Sequence, residues 1–267
     1  MTTIQRIIKY CAVAFAIFLI VSILGGILGA ASSISHIFAK NEAVGEMKTF
    51  EIKEEVKSLE VELSRAQFEL KTGDNFSVES NNKNLKVDHS NGILQIKEKK
   101  KSIGYYSDRV KVILTIPEDF RFEKANVSTG AGTVKIDSLL SDTLMLDLGA
   151  GEVDIEYLSA DLSATIDGGA GEVQIDNSKL ANLIFDMGIG EADLTGSLSG
   201  HCEIDYGIGE MNLNLTDSRD KYCITLNKGL GEAKLDDQKM SDGGVYGNGK
   251  NMIEIDGGIG ELKIRFE

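Results

Sequence analysis

Apolar and polar residues alternate in short stretches through the second half of the chain, and a Gly-x-Gly phrase separates one stretch from the next. Leu144, Leu146 and Leu148 occupy every second position before one such phrase. Val153 and Ile155 do the same after it. A period of two predicts a β-strand with one buried face. Each unit is therefore predicted to be a strand, a glycine corner, a second strand and a return loop.

This unit recurs seven times at nearly constant spacing. Successive first glycines are 19, 20, 19, 19, 22 and 29 residues apart. A period of this length suits one coil of a β-solenoid, in which equivalent strands pair in parallel and equivalent positions stack about 4.8 Å apart. The seven phrases are GAGTVKI at 130–136, GAGEVDI at 149–155, GAGEVQI at 169–175, GIGEADL at 188–194, GIGEMNL at 207–213, GLGEAKL at 229–235 and GIGELKI at 258–264.

The predicted fold class is all-β. We expect a single-stranded parallel β-helix, or β-solenoid, with coils of about 19–20 residues, preceded by one N-terminal transmembrane helix. Residues 49–125 alternate more loosely, and the sequence leaves open whether they complete the same solenoid or form a separate cap. Four segments are predicted: a cytoplasmic N-terminus with the transmembrane helix at 1–31, a tether at 32–48, irregular β coils or a cap at 49–125, and regular solenoid repeats at 126–267.

Two expectations concern the C-terminal end of the solenoid. The glycine-rich insertion at 238–250 is predicted to be a protruding loop. The chain stops on a strand, where Lys263 and Arg265 would help to blunt an exposed sheet edge.

The N-terminal segment contains a stretch long enough to cross a membrane. Residues 11–31 carry no charge, while Arg6 and Lys9 precede them. The positive-inside rule then places the N-terminus in the cytoplasm and the C-terminal domain outside, in a single-pass protein of the cell membrane. A cleavable signal peptide is the alternative, although its apolar core is normally shorter, about 7–15 residues.

The same stretch contains a GxxxG motif formed by Gly25 and Gly29. Such small residues let two helices approach closely in a bilayer. A homodimer through the transmembrane helix is therefore one expectation for the partners of this chain, beside contact of residues 11–31 with the lipid bilayer.

Two acidic columns are predicted to flank the glycine corner. One stands two residues before the first glycine, and the other follows the second glycine directly. The structural interpretation is that these oxygens accept hydrogen bonds from corner amides. The alternative is Ca²⁺ binding, since stacked carboxylates repel one another and Ca²⁺ prefers oxygen ligands. The calcium candidates are Asp147, Glu152, Asp167, Glu172, Asp186, Glu191, Asp205, Glu210, Asp256 and Glu261.

Charge and motif content exclude several functions. The chain has a formal net charge of −14, and residues 126–267 alone carry ten basic and twenty-six acidic side chains. This argues against nucleic-acid partners. No Walker loop, GxSxG, HExxH or CxxC motif occurs. Carboxylates that recur in nearly every coil indicate structure or multivalent binding, so we expect a protein that is not an enzyme and has no cofactor other than the calcium considered above.

The order of three features resembles the bacterial "putative adhesin" family, a domain of unknown function common in membrane proteins of Firmicutes. These features are NGILQI at 91–96, VILTIPEDFRFEKANVSTGAGTVKI at 112–136, and the G-[AIL]-G-E repeats that follow. The resemblance covers about residues 49–267. It implies a membrane-anchored ectodomain and supplies no catalytic or binding residues.

The sequence therefore predicts a membrane-anchored, extracytoplasmic β-solenoid that acts as an adhesion or interaction module, with an unidentified protein or cell-envelope partner. Two alternatives stay open at this point. One is an envelope sensor or accessory subunit that contacts another membrane protein in cis. The other is a calcium-stabilised surface scaffold.

Overall fold

A computed structural model of the chain describes residues 44–99 and 110–266. These residues form one 15-stranded sheet that coils upon itself, and one short 3₁₀ helix, Arg219–Lys221. The predicted transmembrane helix lies outside the described residues. Within the described ranges, no helix is long and apolar enough to cross a membrane. The strands are β1 Val44–Glu51, β2 Ser58–Gly73, β3 Ser77–Asn82, β4 Leu85–Ser90, β5 Ile93–Glu98, β6 Lys111–Pro117, β7 Arg121–Asp167, β8 Ala170–Ala181, β9 Leu183–Ser199, β10 His201–Leu215, β11 Tyr222–Asn227, β12 Leu230–Leu235, β13 Gln238–Lys239, β14 Gly244–Gly247 and β15 Asn251–Phe266.

The central coils stack in parallel and in register, as the repeats predict. Gly171 pairs with Gly151 on one side and with Gly190 on the other. Gly209 continues the column next to Gly190. The central repeated phrases thus lie directly beside one another in neighbouring coils, and the all-β solenoid is confirmed.

The alternating apolar residues fill the interior of this column. Leu146, Ile155 and Ile175 are at most 1% exposed, while Asp147 between the inward positions faces out. One continuous cluster of buried residues extends from Val56 to Ile264. A fragment that begins at residue 43 therefore contains the entire core of the described residues.

Residues 58–73 form a coil of the same solenoid, although they lack the glycine phrase. β2 pairs with β7 in parallel, with Leu63 beside Thr129 and Ala66 beside Gly132. The question that the sequence left open for 49–125 is thus answered for this strand. The predicted tether also ends earlier than residue 48, because β1 begins at Val44 and pairs with β3.

The order of the coils in space departs from their order in the chain at both ends. At the N-terminal end, β5 and β6 pair with one side of β2, while β7 pairs with its other side. At the C-terminal end, β15 lies between β10 and the pair β11 and β12. The last strand of the chain is therefore an interior strand of the sheet.

This arrangement corrects two predictions about the C-terminal end. Lys263 and Arg265 do not blunt an exposed edge, because β15 pairs with neighbours on both sides. The insertion at 238–250 is not a free loop. Its strands β13 and β14 pair antiparallel with β12 and β11 and so cover the outer coil. An antiparallel cap ends the parallel stack, which limits edge-to-edge association.

The position of β15 predicts the effect of truncation. Deleting residues 251–267 from a 43–267 fragment removes Ile253, Ile255, Leu262 and Ile264 from the core and leaves β10 unpaired on one side. Burial of four such side chains contributes about 6–12 kcal/mol, comparable to the whole stability of a typical domain. We expect loss of cooperative thermal unfolding, measured by circular dichroism.

A fragment that lacks only Glu267 is the control and should unfold like the full 43–267 fragment. A terminal coil of a simple stack could be removed with little effect on the remaining coils. Cooperative unfolding of the 43–250 fragment near the original melting temperature would therefore contradict the interior position of β15.

Candidate functional site

The corner of each coil is built by glycines stacked on glycines. Gly190 has a φ of 143°, a value that side chains disfavour. A Cβ atom added there would overlap the carbonyl oxygen of Gly171 in the preceding coil. The same overlap recurs from Gly151 to Gly260, so the repeated Gly-x-Gly phrase follows from the closeness of neighbouring corners.

These glycines form the floor of an open groove that runs along the solenoid. Gly151, Gly171, Gly190 and Gly209 line it, because residues without side chains leave a depression beside the glutamates that follow them. We call this feature the corner groove. One wall is formed by the glutamate column, whose members in the groove are Glu152, Glu172, Glu191, Glu210 and Glu261.

The glutamates of the C-terminal coils have lysine partners. Lys263 Nζ lies 2.5 Å from Glu210 Oε1 and 3.4 Å from Glu261 Oε2. Lys234 Nζ lies 3.0 Å from Glu232 Oε2 and 3.7 Å from Glu261 Oε1. The hydrogen bond from Lys263 lowers the pKa of the Glu210 carboxyl. These two lysines partly offset the charge of the three glutamates that they contact.

The central coils have acidic or uncharged residues where these lysines stand. Asp154, Gln174 and Asp193 occupy the equivalent positions. In the part of the chain that the structure describes, no basic side chain forms an ion pair with Glu152, Glu172 or Glu191. The middle of the groove wall therefore combines stacked carboxylates with no ion pair, and the charge of Lys263 only partly offsets the raised pKa of Glu191.

The pKa of Glu191 reflects this environment. Loss of hydration raises the pKa of its carboxyl, and the charges of Asp193, Glu210 and Glu172 raise it further. Stacked like charges are destabilising when they stand directly opposite one another on adjacent strands. Glu191 thus stands in a repulsive environment that protonation of its carboxyl relieves.

The aspartate column follows the other side of the corner. Asp205 pairs in register with Asp186 and with Asp256. Loss of hydration, then the charges of Asp256 and Asp186, raise the pKa of the Asp205 carboxyl. Some members serve the structural role considered above: Asp167 Oδ1 accepts a hydrogen bond of 3.3 Å from the amide of Gly169. Ser128 Oγ donates to Asp147 Oδ2 at 3.0 Å.

Between the two columns stands the residue enclosed by the two glycines of each corner. It is alanine in the coils of Ala150 and Ala170, and a larger aliphatic residue further along. Ile189, Ile259 and Leu230 are 37%, 39% and 47% exposed. Ile208 joins them, because it pairs with Ile189 on one side and Ile259 on the other. We call Ile189, Ile208, Ile259 and Leu230 the corner ridge.

The ten calcium candidates all lie in these two columns, as the spacing predicted. Among the described residues, however, no group of three or more His, Cys, Asp or Glu side chains is placed to hold a metal ion. Calcium binding stays a prediction. Gly25 and Gly29, the predicted helix-pairing residues, lie outside the described residues.

Sequence reasoning missed the corner ridge and the lysine compensation. The change from alanine to isoleucine or leucine within the Gly-x-Gly phrase was a visible signal for the ridge. The ion pairs of Lys263 with Glu210 had no such signal, because they depend on β15 lying beside β10.

Together, the stacked parallel coils and the grooved corner define an acidic β-solenoid. A family model described as Toastrack DUF4097 matches residues 51–244. The chain belongs to this family, which confirms the resemblance seen in the sequence. No protein of curated function matches the chain.

Several solved structures are similar to the chain. One is a putative cell adhesion protein from Clostridium sporogenes, at 15% identity and a TM-score of 0.37, covering 83% of this chain and 99% of that one. A putative adhesin from Bacteroides fragilis has 11% identity and a TM-score of 0.41, covering 82% and 97%. A putative lipid binding protein from Parabacteroides distasonis has 16% identity and a TM-score of 0.35, covering 83% and 98%.

The glycine stack predicts a sharp difference between adjacent substitutions. Gly190→Ala in the 43–267 fragment should lower the free energy of unfolding by about 2–5 kcal/mol, because the methyl group meets the Gly171 carbonyl at an unfavourable φ. Ile189→Ala, one residue away on the exposed ridge, should change it by less than about 1 kcal/mol. Urea unfolding measures both values, and equal effects would contradict the stacking constraint.

The uncompensated carboxylates predict a stabilising double substitution. Glu191→Gln with Asp205→Asn should raise the melting temperature at neutral pH by about 1–3 °C at low ionic strength, because it removes repulsion between stacked charges. The pKa values of Glu191 and Asp205 are raised above the ordinary 4.5 and 3.8, so the folded protein binds their protons more tightly than the unfolded chain does. The stability of the unsubstituted protein therefore rises as the pH falls from the raised pKa values toward the ordinary ones. The advantage of the variant should therefore disappear at acidic pH.

Glu210→Gln is the matched control and should have the opposite sign at neutral pH. Its carboxylate accepts a hydrogen bond from Lys263, and the lowered pKa means that ionisation stabilises the fold. Thermal unfolding from about pH 4 to pH 8 checks both variants. Stabilisation by Glu210→Gln, or destabilisation by the double variant, would show that repulsion between stacked carboxylates does not lower the stability of the fold.

Proposed function

We propose that this protein is a non-catalytic adhesion or interaction module, anchored in the cell membrane through residues 11–31 with its solenoid outside the cytoplasm. The proposed contact surface is the corner groove. The anchor rests on the charge-free stretch and the basic residues that precede it. The choice of the corner groove as the contact surface rests on the geometry of the described residues that line it.

The observation that carries the proposal is the part of the glutamate column without described ion pairs, at Glu152, Glu172 and Glu191. Lys263 and Lys234 show that this solenoid can neutralise the column with a basic residue two positions further along the strand. Acidic or amide residues at the same position in the central coils keep the charge instead. A surface that retains repulsive charge at the expense of stability is typical of a binding site.

The geometry favours binding over catalysis. Glu152, Glu172 and Glu191 stand at equivalent positions of successive coils, paired in register. A row of equivalent carboxylates suits a partner that makes the same contact several times.

A photo-crosslinking experiment on intact cells tests the proposal. A photoreactive amino acid at Gln174 lies on an exposed position beside the groove, and one at Lys179 lies on an exposed position further along the same strand. We expect crosslinked products from the full-length chain at Gln174 but not at Lys179. Changing Glu152, Glu172 and Glu191 to Gln should reduce the yield at Gln174 about tenfold, because charge complementarity guides association.

The nature of the attached molecule distinguishes the two forms of the proposal. Wall polymer, another cell or an external protein supports adhesion. A protein of the same membrane supports an envelope sensor or accessory subunit acting in cis. Absence of any product at Gln174, or equal products at Gln174 and Lys179, would overturn the corner groove as the contact surface.

A further inference from the structure

The corner ridge has a chemical character that narrows the class of partner. It is a row of four aliphatic side chains between two rows of carboxylates. Ile189, Ile259 and Leu230 are exposed, and Ile208 is half-buried. Asp186, Asp205 and Asp256 stand on one side, and Glu191, Glu210 and Glu261 on the other. We propose that this ridge is the docking surface for a basic amphipathic α-helix of a protein partner. This inference deepens the function proposed above and rests on it.

Continuity distinguishes the ridge from other exposed apolar residues. Ile189, Ile208, Ile259 and Leu230 are direct neighbours in register across four successive coils. Elsewhere, the outward side chain of Ile184 has Thr165 on one side and Glu203 on the other. A contiguous apolar strip rimmed by charge marks an interaction site more strongly than scattered exposed residues do.

The spacing of the ridge matches a helix. Four coils place the four side chains about 4.8 Å apart, so the ridge is about 14 Å long. An α-helix advances about 5.4 Å per turn, and its apolar stripe presents roughly one or two residues per turn. About ten helical residues therefore cover the ridge with a mismatch of about 2 Å. A partner in an extended conformation would present side chains on one face about 6.6 Å apart, which differs more from the ridge spacing of about 4.8 Å than a helical turn does.

Charge complementarity decides the sign of the partner. A helix whose apolar stripe lies on the ridge directs its flanking residues toward both carboxylate columns. Glu210 and Glu261 are already paired with Lys263. Lysine or arginine at those flanks would therefore pair mainly with the aspartate column, at Asp186, Asp205 and Asp256, and with Glu191. A second copy of this chain, an anionic lipid surface or a nucleic acid would bring negative charge to the same columns and be repelled.

Peptide binding to the 43–267 fragment tests the proposal. The probe is a fluorescent 18-residue helical peptide with a leucine stripe flanked by lysines. A scrambled peptide of the same composition and a version with glutamate for lysine are the comparison probes. We expect binding of the amphipathic basic peptide at least about tenfold tighter than of the scrambled one, and none of the acidic one, by fluorescence anisotropy at physiological salt.

Two pairs of substitutions locate the site. Ile208→Thr with Ile259→Thr removes the middle of the ridge while keeping β-branched residues, and should weaken binding about tenfold or more. Met145→Thr with Ile184→Thr removes two exposed apolar residues away from the ridge and should leave affinity within about twofold. Circular dichroism and melting temperature confirm that each variant stays folded.

The outcomes separate this inference from the function on which it rests. Equal binding of the scrambled peptide, or unchanged affinity of the Ile208 and Ile259 variant, would overturn the helix-docking surface. Crosslinking at Gln174 in cells would still support the interaction module in that case. Loss of both peptide binding and crosslinking would overturn both proposals.

Discussion

The whole structure depends on the closeness with which neighbouring corners pack. At each Gly-x-Gly corner, the backbone of one coil lies so near the next that a Cβ atom would overlap a carbonyl oxygen. This contact sets the period, because only a repeat that returns a glycine to the same place can continue the column. It also leaves a depression along the corner, which becomes the groove. The shape of the candidate site is thus a consequence of what the backbone requires.

Because the coils stack in register, each side chain stands beside the side chain at the equivalent position of the neighbouring coil. A carboxylate after the second glycine stands beside another carboxylate, about 4.8 Å away, in the next coil. This repulsion is handled differently along the chain. Lys263 and Lys234 partly offset it in the last coils, whereas Asp193 adds to it at Glu191 in the middle. Because the same fold accommodates both solutions, the acidic middle is not a requirement of the architecture.

Much of this could be predicted from the sequence, because the repeat is local information. The alternation, the glycine period and the two acidic columns each follow from residues close together in the chain. The coil at 58–73 was harder to assign, because Ser64 and Ala66 stand where glycines would mark the corner. Added Cβ atoms at Gly130 and Gly132 point toward Ser64 and Ala66 in this coil. The glycine requirement therefore applies to the coil that follows, and β2 needs no glycine phrase of its own.

The order of the coils could not be predicted, since identical phrases pair equally well in any order. GLGEAKL precedes GIGELKI in the chain, but GIGELKI lies between GLGEAKL and the coil of β10 in space. The longer insertion at 238–250 is the only feature of the sequence that indicates this change of order. The reversal has a physical benefit. Antiparallel strands cover the outer coils at both ends, β13 and β14 at the C-terminal end and β3 and β4 at the N-terminal end. Neither end of the stack therefore presents a complete parallel coil for another molecule to extend. A solenoid closed in this way offers its side, rather than its ends, to a partner, and the corner is where that side is both apolar and charged.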